Sequence, residues 1–133
     1  MILVDTCVLL DVVTQTPEWV EWSERRLAIW SMRGPLVINS IIFAEFCAAY
    51  NELSEVERAV QTMKLERLPI SDAALFLASQ AHRLYRRRGG NKATLLPDFL
   101  IGAHAAVTRM PILTRDPGRF TSYFADLEVV CPN

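Results

Sequence analysis

Two aspartates of this sequence follow short apolar runs. Asp5 comes directly after Ile2–Val4, and Asp116 follows Pro111–Thr114 with one arginine in between. Runs of this kind are typical of buried parallel strands, and ligands of open α/β sheets bind outside the carboxyl ends of the strands. Both carboxylates are therefore expected at one edge of a sheet. The structural alternative remains open, because aspartate also binds backbone amides in turns, and Asp116-Pro117-Gly118 is a turn-like sequence.

Two further acids lie among apolar residues. Glu45 is the one charged residue within positions 41–50, and Asp98 directly precedes the largely apolar stretch 99–107. Burial of a lone carboxylate is unfavourable unless a partner compensates it. The structural alternative is that both acids lie near helix N-termini and interact with the helix dipole.

The combination of these four acids suggests a chemistry. Carboxylates that face one cleft repel one another, which raises their pKa values, and a divalent cation removes that penalty. Oxygen ligands without histidine or thiolate partners suit Mg²⁺ or Mn²⁺, and Mg²⁺ commonly joins carboxylates to substrate phosphates. The set therefore predicts metal-dependent cleavage of phosphodiester bonds.

The elements that must position these acids alternate along the chain. The predicted strands, the last of them the weakest, are Ile2–Val4, Leu36–Ile38, Pro111–Thr114, Leu127–Val130 and Arg67–Ile70. The predicted helices are Glu18–Arg33, Ser40–Leu53, Ser54–Lys64, which begins with a capping-box spacing of Ser54 and Glu57, Asp72–Arg88 and Pro97–Arg109. Because parallel strands need helical connections, this order predicts an α/β fold with a mostly parallel sheet of four to five strands flanked by helices.

Composition narrows the class of protein. The chain has 133 residues, 51% of them hydrophobic, which predicts one globular domain over residues 1–133. A net charge of −1 argues against a basic nucleic-acid coat or an acidic tail. Three widely spaced cysteines without a C-x-x-C pair argue against disulfides and zinc. Neither a membrane span nor a signal peptide is evident, so we expect a cytoplasmic protein.

Four short segments carry a family resemblance. They are Ile2-Leu3-Val4-Asp5-Thr6, Phe43-Ala44-Glu45, Leu96-Pro97-Asp98-Phe99-Leu100-Ile101-Gly102-Ala103 and Leu113-Thr114-Arg115-Asp116. In order, spacing and position relative to the strand ends, the chain resembles the PIN-domain nucleases, and most closely the VapC-type toxins of bacterial toxin–antitoxin pairs. The sequence departs from the family at Cys7, where asparagine is common, and the family's fourth acid, here Asp116, is variable.

The resemblance implies a three-layer PIN-like fold and a metal-dependent endoribonuclease. Asp5, Glu45, Asp98 and Asp116 would be catalytic and would bind Mg²⁺ or Mn²⁺, with Thr6 and Thr114 in supporting roles. The partners implied are RNA, a cognate antitoxin and a second copy of the chain in a homodimer. Cys7 is assigned to packing.

Positive charge for RNA is expected mainly near one helix end. The candidates are Arg115, beside Asp116, and the cluster Arg83, Arg86, Arg87, Arg88 and Lys92. The structural alternative is that basic residues at a helix C-terminus only interact with its dipole. Arg115 has the alternative of pairing internally with an acid.

Rival functions lack particular residues. A receiver domain normally has paired acids after its first strand and a late lysine, yet Thr6 and Cys7 follow Asp5 and no lysine follows Lys92. A haloacid-dehalogenase-like phosphatase would need an acid at Cys7. Two alternatives keep the fold: a catalytically inactive PIN scaffold that binds RNA or protein, and a housekeeping PIN ribonuclease.

Overall fold

Five short parallel strands form the centre of the molecule. The computed structural model describes residues 1–90 and 96–133. Its strands are β1 (Ile2–Val4), β2 (Leu36–Ile38), β3 (Leu65–Arg67), β4 (Ile112–Leu113) and β5 (Val129–Val130). They lie in the order β3-β2-β1-β4-β5, with every pair parallel. The predicted α/β class with a mostly parallel, helix-flanked sheet is therefore confirmed.

Seven helices are found in the described residues. They are α1 (Thr6–Val13), α2 (Val20–Ser31), α3 (Ser40–Cys47), α4 (Leu53–Thr62), α5 (Asp72–Arg87), α6 (Leu96–Thr108) and α7 (Gly118–Thr121). None of the described helices is long and apolar enough to cross a membrane.

Two helices were missed by the sequence prediction. Helix α1 begins directly after Asp5, and its sequence, TCVLLDVV, is so uniformly apolar that it shows no helical periodicity. Helix α7 begins at Gly118, where only a turn was expected. Both misses matter for function because each helix begins at the edge of the sheet where the candidate acids lie.

Several predicted boundaries were wrong. The weak strand predicted at Arg67–Ile70 is instead Leu65–Arg67, because Pro69 has no N–H to continue the ladder. The helix predicted over Ser40–Leu53 ends at Cys47. Helix α4 begins directly after Glu52, which forms a different capping pair. The N–H of Glu52 donates to Oε1 of Glu55 at 3.0 Å, so the Ser54–Glu57 box does not form.

Two apolar clusters hold the elements in place. The larger is built on the sheet, with β1, β2 and β4 fully or almost fully buried. The smaller joins α5 and α6 through alanines and aromatic rings, including Phe99 and Phe124. Gly102 makes this packing possible, since a Cβ there would lie 2.5 Å from the ring of Phe124. This second cluster fixes α6, and therefore Asp98, against α5.

Candidate active site

Asp5 is the most completely fixed of the four acids. It ends β1, is fully buried and caps α1, with Oδ1 accepting from the N–H of Thr6 at 2.8 Å. Its Oδ2 accepts from Oγ1 of Thr114 at 2.7 Å, at the end of the neighbouring strand β4. The adjacency of β1 and β4 in the sheet thus brings Asp5 and Thr114 together.

Glu45 reaches this edge from α3. Its Oε1 accepts from Oγ1 of Thr6 at 2.6 Å, so Thr6 links the residue after β1 to the acid of another helix. The half-buried position of Glu45 depends on the start of α3, where the side chain of Asn39 accepts from the N–H groups of Ile41 and Ile42.

Asp98 lies in the first turn of α6, with 13% of its side chain exposed. Burial raises the pKa of its carboxyl, the attraction of Arg119 lowers it, and the charges of Asp5 and Glu45 raise it again, with a net increase. The influence of Asp5 and Glu45 on this pKa is evidence that the three acids share one environment.

Arg119 is the cation of the acidic site, and the sequence analysis missed it. Its Nη1 donates to Oδ1 of Asp98 at 2.7 Å, and its Nη2 is hydrogen-bonded to Oδ2 of Asp5. Burial lowers the pKa of Arg119, but the charges of Asp5 and Asp98 outweigh this effect, so its pKa is raised. Its guanidinium lies between these two carboxylates, and 27% of the Arg119 side chain is exposed.

A sequence signal for Arg119 did exist. It follows Asp116 by three residues, the spacing of neighbours on a helix, and helix α7 begins immediately after Pro117. The expected turn at 116–118 hid this relationship.

Asp116 lies at the open side of the site. Its side chain is 60% exposed, and its Oδ2 is 3.6 Å from Nε of Arg119, which is an ion-pair distance but too long for a hydrogen bond. Its N–H donates to Oγ1 of Thr114 at 3.0 Å. Thr114 therefore connects the end of β4 to both Asp5 and Asp116.

The oxygen donors of the acidic site suit a divalent cation, although the guanidinium of Arg119 lies between two of the carboxylates. The acids and their threonines offer only hard oxygen atoms, as Mg²⁺ and Mn²⁺ prefer. Within residues 1–90 and 96–133, however, no three acidic, histidine or cysteine side chains are grouped as a ready metal site. Because one guanidinium bridges Asp5 and Asp98, a metal ion would have to displace it. The residues therefore fit a metal in their chemistry, provided that Arg119 moves.

A buried pair of polar side chains holds two acid-bearing helices together. Nδ2 of Asn39 and Nδ1 of His104 are 3.0 Å apart, and both residues are buried. Since the oxygen of Asn39 already accepts from the N–H groups that begin α3, its nitrogen must donate to a neutral His104. Burial lowers the pKa of His104, consistent with that state. This contact gives His104 a structural role.

Cys7 contacts the acidic site but adds no charge to it. Its half-buried thiol lies 3.4 Å from Oδ2 of Asp5 and 3.6 Å from Oγ1 of Thr114. Burial, with the charge of Asp5 as the next cause, raises the pKa of Cys7 to about 11. It is therefore a neutral thiol that packs and donates weakly.

The predicted RNA-binding residues fall into two places. Nε of Arg115 donates to Oδ2 of the buried Asp11 at 2.9 Å, so Arg115 is paired internally. The other arginines are exposed along the C-terminal part of α5 and the residue after it: Arg83, Arg86, Arg87 and Arg88. Lys92 lies outside the described residues.

Comparisons with known proteins agree on the fold. A family model described as PIN domain matches residues 2–123. No curated protein sequence matches significantly.

Solved structures match over nearly the whole chain. VapBC2 from Rickettsia felis bound to a promoter DNA fragment is 16% identical, covers 100% of both chains and has a TM-score of 0.76. VapBC-1 from nontypeable Haemophilus influenzae is 16% identical over 98% of each chain, with a TM-score of 0.73. DNA-bound VapBC from Salmonella typhimurium is 20% identical over 98% of each chain, with a TM-score of 0.72. At these identities the likeness is one of fold, and it agrees with the family match over residues 2–123: the chain belongs to the PIN domain family.

Proposed function

We propose that this chain is a metal-dependent endoribonuclease and the toxin of a VapBC-type toxin–antitoxin pair. The observation that carries the proposal is the meeting of Asp5 and Asp98 on one cation at the carboxyl edge of the sheet, with Glu45 and Asp116 beside them. PIN domains are generally nucleases, and they generally use divalent metal ions.

Asp5 and Asp98 are the proposed direct ligands of Mg²⁺ or Mn²⁺, with Glu45 and Asp116 as the other candidates. A bound divalent ion would polarise the scissile phosphate and lower the pKa of a water molecule. Arg119 would leave its bridging position and could then bind a phosphate oxygen through its two terminal nitrogens.

The protein's own groups would orient this chemistry. Thr6 fixes one oxygen of Glu45, which leaves the other to accept a hydrogen bond from the attacking water. Thr114 holds Asp5 from the end of the neighbouring parallel strand, β4. These threonines are the supporting residues because each restrains a carboxylate that would otherwise rotate.

RNA is the proposed substrate, and positive charge beside the site supports it. Arg83, Arg86 and Arg87 line an open cavity on α5, the helix that packs against the acid-bearing helix α6. Guanidinium groups bind phosphates and release counterions from the nucleic acid. Arg88 extends this surface, and Arg115 adds a further candidate contact.

The cognate antitoxin, the homodimer and the cytoplasmic location are proposed together. The similar solved structures are VapBC or toxin–antitoxin complexes, several of them with DNA. An antitoxin that covers the acidic edge would restrain the enzyme. A housekeeping ribonuclease of the same fold would have no such partner, so co-purification with a small protein encoded next to this chain separates the two functions.

RNA cleavage by purified, antitoxin-free protein tests the enzyme. Total RNA is incubated with Mg²⁺ or Mn²⁺, beside EDTA and Asp98→Asn controls, and the fragment ends are mapped. Asp126→Asn is the matched control because Asp126 is an exposed aspartate that lines a different pocket from the acidic residues. We expect metal-dependent cuts with wild type and Asp126→Asn only. Equal cleavage by Asp98→Asn would refute the assignment.

The inactive scaffold is the second candidate, and the position of Arg119 favours it. A guanidinium that already bridges Asp5 and Asp98 neutralises part of the site without any metal. Folded protein that binds RNA but neither binds Mn²⁺ nor cleaves RNA would establish the scaffold.

A further inference from the structure

A small aromatic pocket opens beside the acidic site. Its volume is about 230 Å³, and three rings, those of Tyr85, Phe99 and Tyr123, form much of its wall. Asp98, Asp116, Gly118 and Arg119 complete the lining. Clefts for drug-sized ligands typically measure about 300–1,000 Å³, so this pocket is suited to a single flat ring system.

The rings of the pocket are held firmly by one another. The centroid of Phe99 lies 5.6 Å from that of Tyr85 and 5.2 Å from that of Tyr123. No two of these three rings are parallel, with interplanar angles of 50°, 68° and 77°. Phe99 is buried, whereas the two tyrosines are partly exposed. A flat guest can therefore stack on a preformed tyrosine face and meet the edges of the other rings.

The charges of the pocket lining are mixed, because the carboxylates of Asp98 and Asp116 lie there beside an arginine. Arg119 lines the pocket itself, and the guanidinium carbon of Arg88 lies 5.9 Å from the ring centroid of Tyr123. Arg86 and Arg88 follow Tyr85 in the chain, and both side chains are exposed. An aromatic cavity that adjoins both guanidinium groups and the proposed metal-binding carboxylates matches a nucleotide, whose base is flat and whose phosphate would bind arginine and metal, better than an uncharged peptide side chain.

We propose that this pocket binds one base of single-stranded RNA, that of a nucleotide adjoining the phosphate at the acidic site. The proposal rests on the proposed ribonuclease function and names a determinant of its specificity. Proteins commonly recognise single-stranded RNA by stacking splayed bases on tyrosine or phenylalanine. Because Asp98 belongs to both the pocket and the acidic site, a base held here would align its neighbouring phosphate with the carboxylates.

Tyrosine ring signals in NMR spectra provide a direct test of occupancy. The chain has three tyrosines, and Tyr50, which packs on Phe46, is outside the pocket. The probe is a short single-stranded RNA of mixed sequence, added to Glu45→Gln protein in Mg²⁺ so that the RNA stays intact. We expect the signals of Tyr85 and Tyr123 to shift while that of Tyr50 does not. The same shifts with an abasic RNA of equal length, or RNA binding without them, would overturn the proposal.

Two variants test the pocket by opposite means. Tyr123→Leu removes a stacking surface and should weaken RNA binding about tenfold, whereas Tyr123→Phe keeps the ring and should bind like wild type. Gly118→Phe should fill the pocket that Gly118 lines, and its Cβ would meet nothing closer than Oδ1 of Asp116 at 3.9 Å. Tyr50→Leu is the control for loss of a tyrosine. Unchanged RNA affinity in folded Tyr123→Leu and Gly118→Phe would refute a base-binding pocket.

Cleavage distinguishes failure of this proposal from failure of the enzyme assignment. If wild type cleaves RNA but Tyr123→Leu and Gly118→Phe keep the same cut sites and rates, the pocket proposal is wrong and the ribonuclease stands. If wild type cleaves no RNA, the ribonuclease is wrong, and the NMR and affinity results decide the pocket separately. Shifts of Tyr85 and Tyr123 caused by an antitoxin peptide and not by RNA would assign the pocket to the partner instead.

Discussion

Two buried aspartates in this protein are paired with arginines, and the charge around the pairs differs. Asp5 contacts Arg119, and Asp11 contacts Arg115, with the arginines 27% and 32% exposed. Asp11 also accepts from the hydroxyl of Ser23 at 2.9 Å, so one acid meets one cation and one neutral donor. Arg119 instead faces Asp5, Asp98 and Asp116 together.

This comparison separates a structural pair from a candidate site. The Asp11–Arg115 pair is balanced in charge and joins α1 to the loop after β4, so it needs no added cation. Among the described residues, the acidic site has more carboxylates than its one arginine can neutralise. Excess negative charge at the carboxyl edge of a parallel sheet indicates a place for an added cation.

The largest expected effect separates activity from stability. Asp98→Asn should lower RNA cleavage by at least about a hundredfold, because it removes a proposed metal ligand, while its folded state changes little. Asp11→Asn should instead leave cleavage nearly unchanged and lower the free energy of unfolding by about 1–3 kcal/mol. This loss is smaller than for a fully buried ion pair because Arg115 is partly exposed. Cleavage rates per folded molecule and urea unfolding measure the two. Loss of cleavage in stable, folded Asp11→Asn would abolish the distinction.

The second effect concerns Mn²⁺ affinity. Arg119→Met removes the internal cation that competes with a metal, so Mn²⁺ should bind about tenfold more tightly, as expected when one opposing charge is lost near the surface. Its melting temperature in EDTA should fall and recover with Mn²⁺. Arg115→Met is the matched control, for which calorimetry should find wild-type Mn²⁺ affinity and no recovery. Weaker Mn²⁺ binding by Arg119→Met would mean that Arg119 supports the metal site.

A third, smaller effect is the pH dependence contributed by His104. Its pKa is about 6.5 when unfolded and lower when folded, so the unfolded state binds the proton first. Stability contributed by this residue is therefore retained above pH 6.5 and lost as the pH falls below it. In His104→Gln the glutamine can still accept a hydrogen bond from Asn39 but does not titrate. The free energy of unfolding in urea should therefore depend less on pH between about pH 8 and pH 5. An unchanged pH profile in that variant would assign the effect to other groups.

The smallest expected effect is that of Cys7→Ser. The hydroxyl can replace the weak thiol donor to Asp5, so stability should change by less than about 1 kcal/mol. The cleavage rate should remain within about twofold of wild type, since a neutral Cys7 thiol is not an anionic ligand for a metal. Thermal unfolding and cleavage assays check both values. A large loss of cleavage with normal folding would give Cys7 a part in the chemistry.

The alternating apolar runs identified the strands that bear Asp5 and Asp116, because a buried parallel strand needs a continuous apolar sequence. Helix α1 was not predicted because both of its faces carry apolar residues, which leaves no helical periodicity in the sequence. Arg119 was not predicted as a site residue because its role depends on a contact with Asp5, more than a hundred residues away, and on helix α7, which was not expected. The pocket of Tyr85, Phe99 and Tyr123 has no local signal at all, since its rings come from three separate segments.

Residue types and their local order were enough to predict the class of fold, the acids at the strand ends and the family resemblance. Tertiary structure alone decided which cation the acids meet, which buried aspartate is balanced, and which aromatic rings enclose a pocket beside Asp98. Those properties arise when the order β3-β2-β1-β4-β5 brings distant segments to one edge. Electrostatic and packing interactions depend on distances in space, which spacing along the chain does not specify.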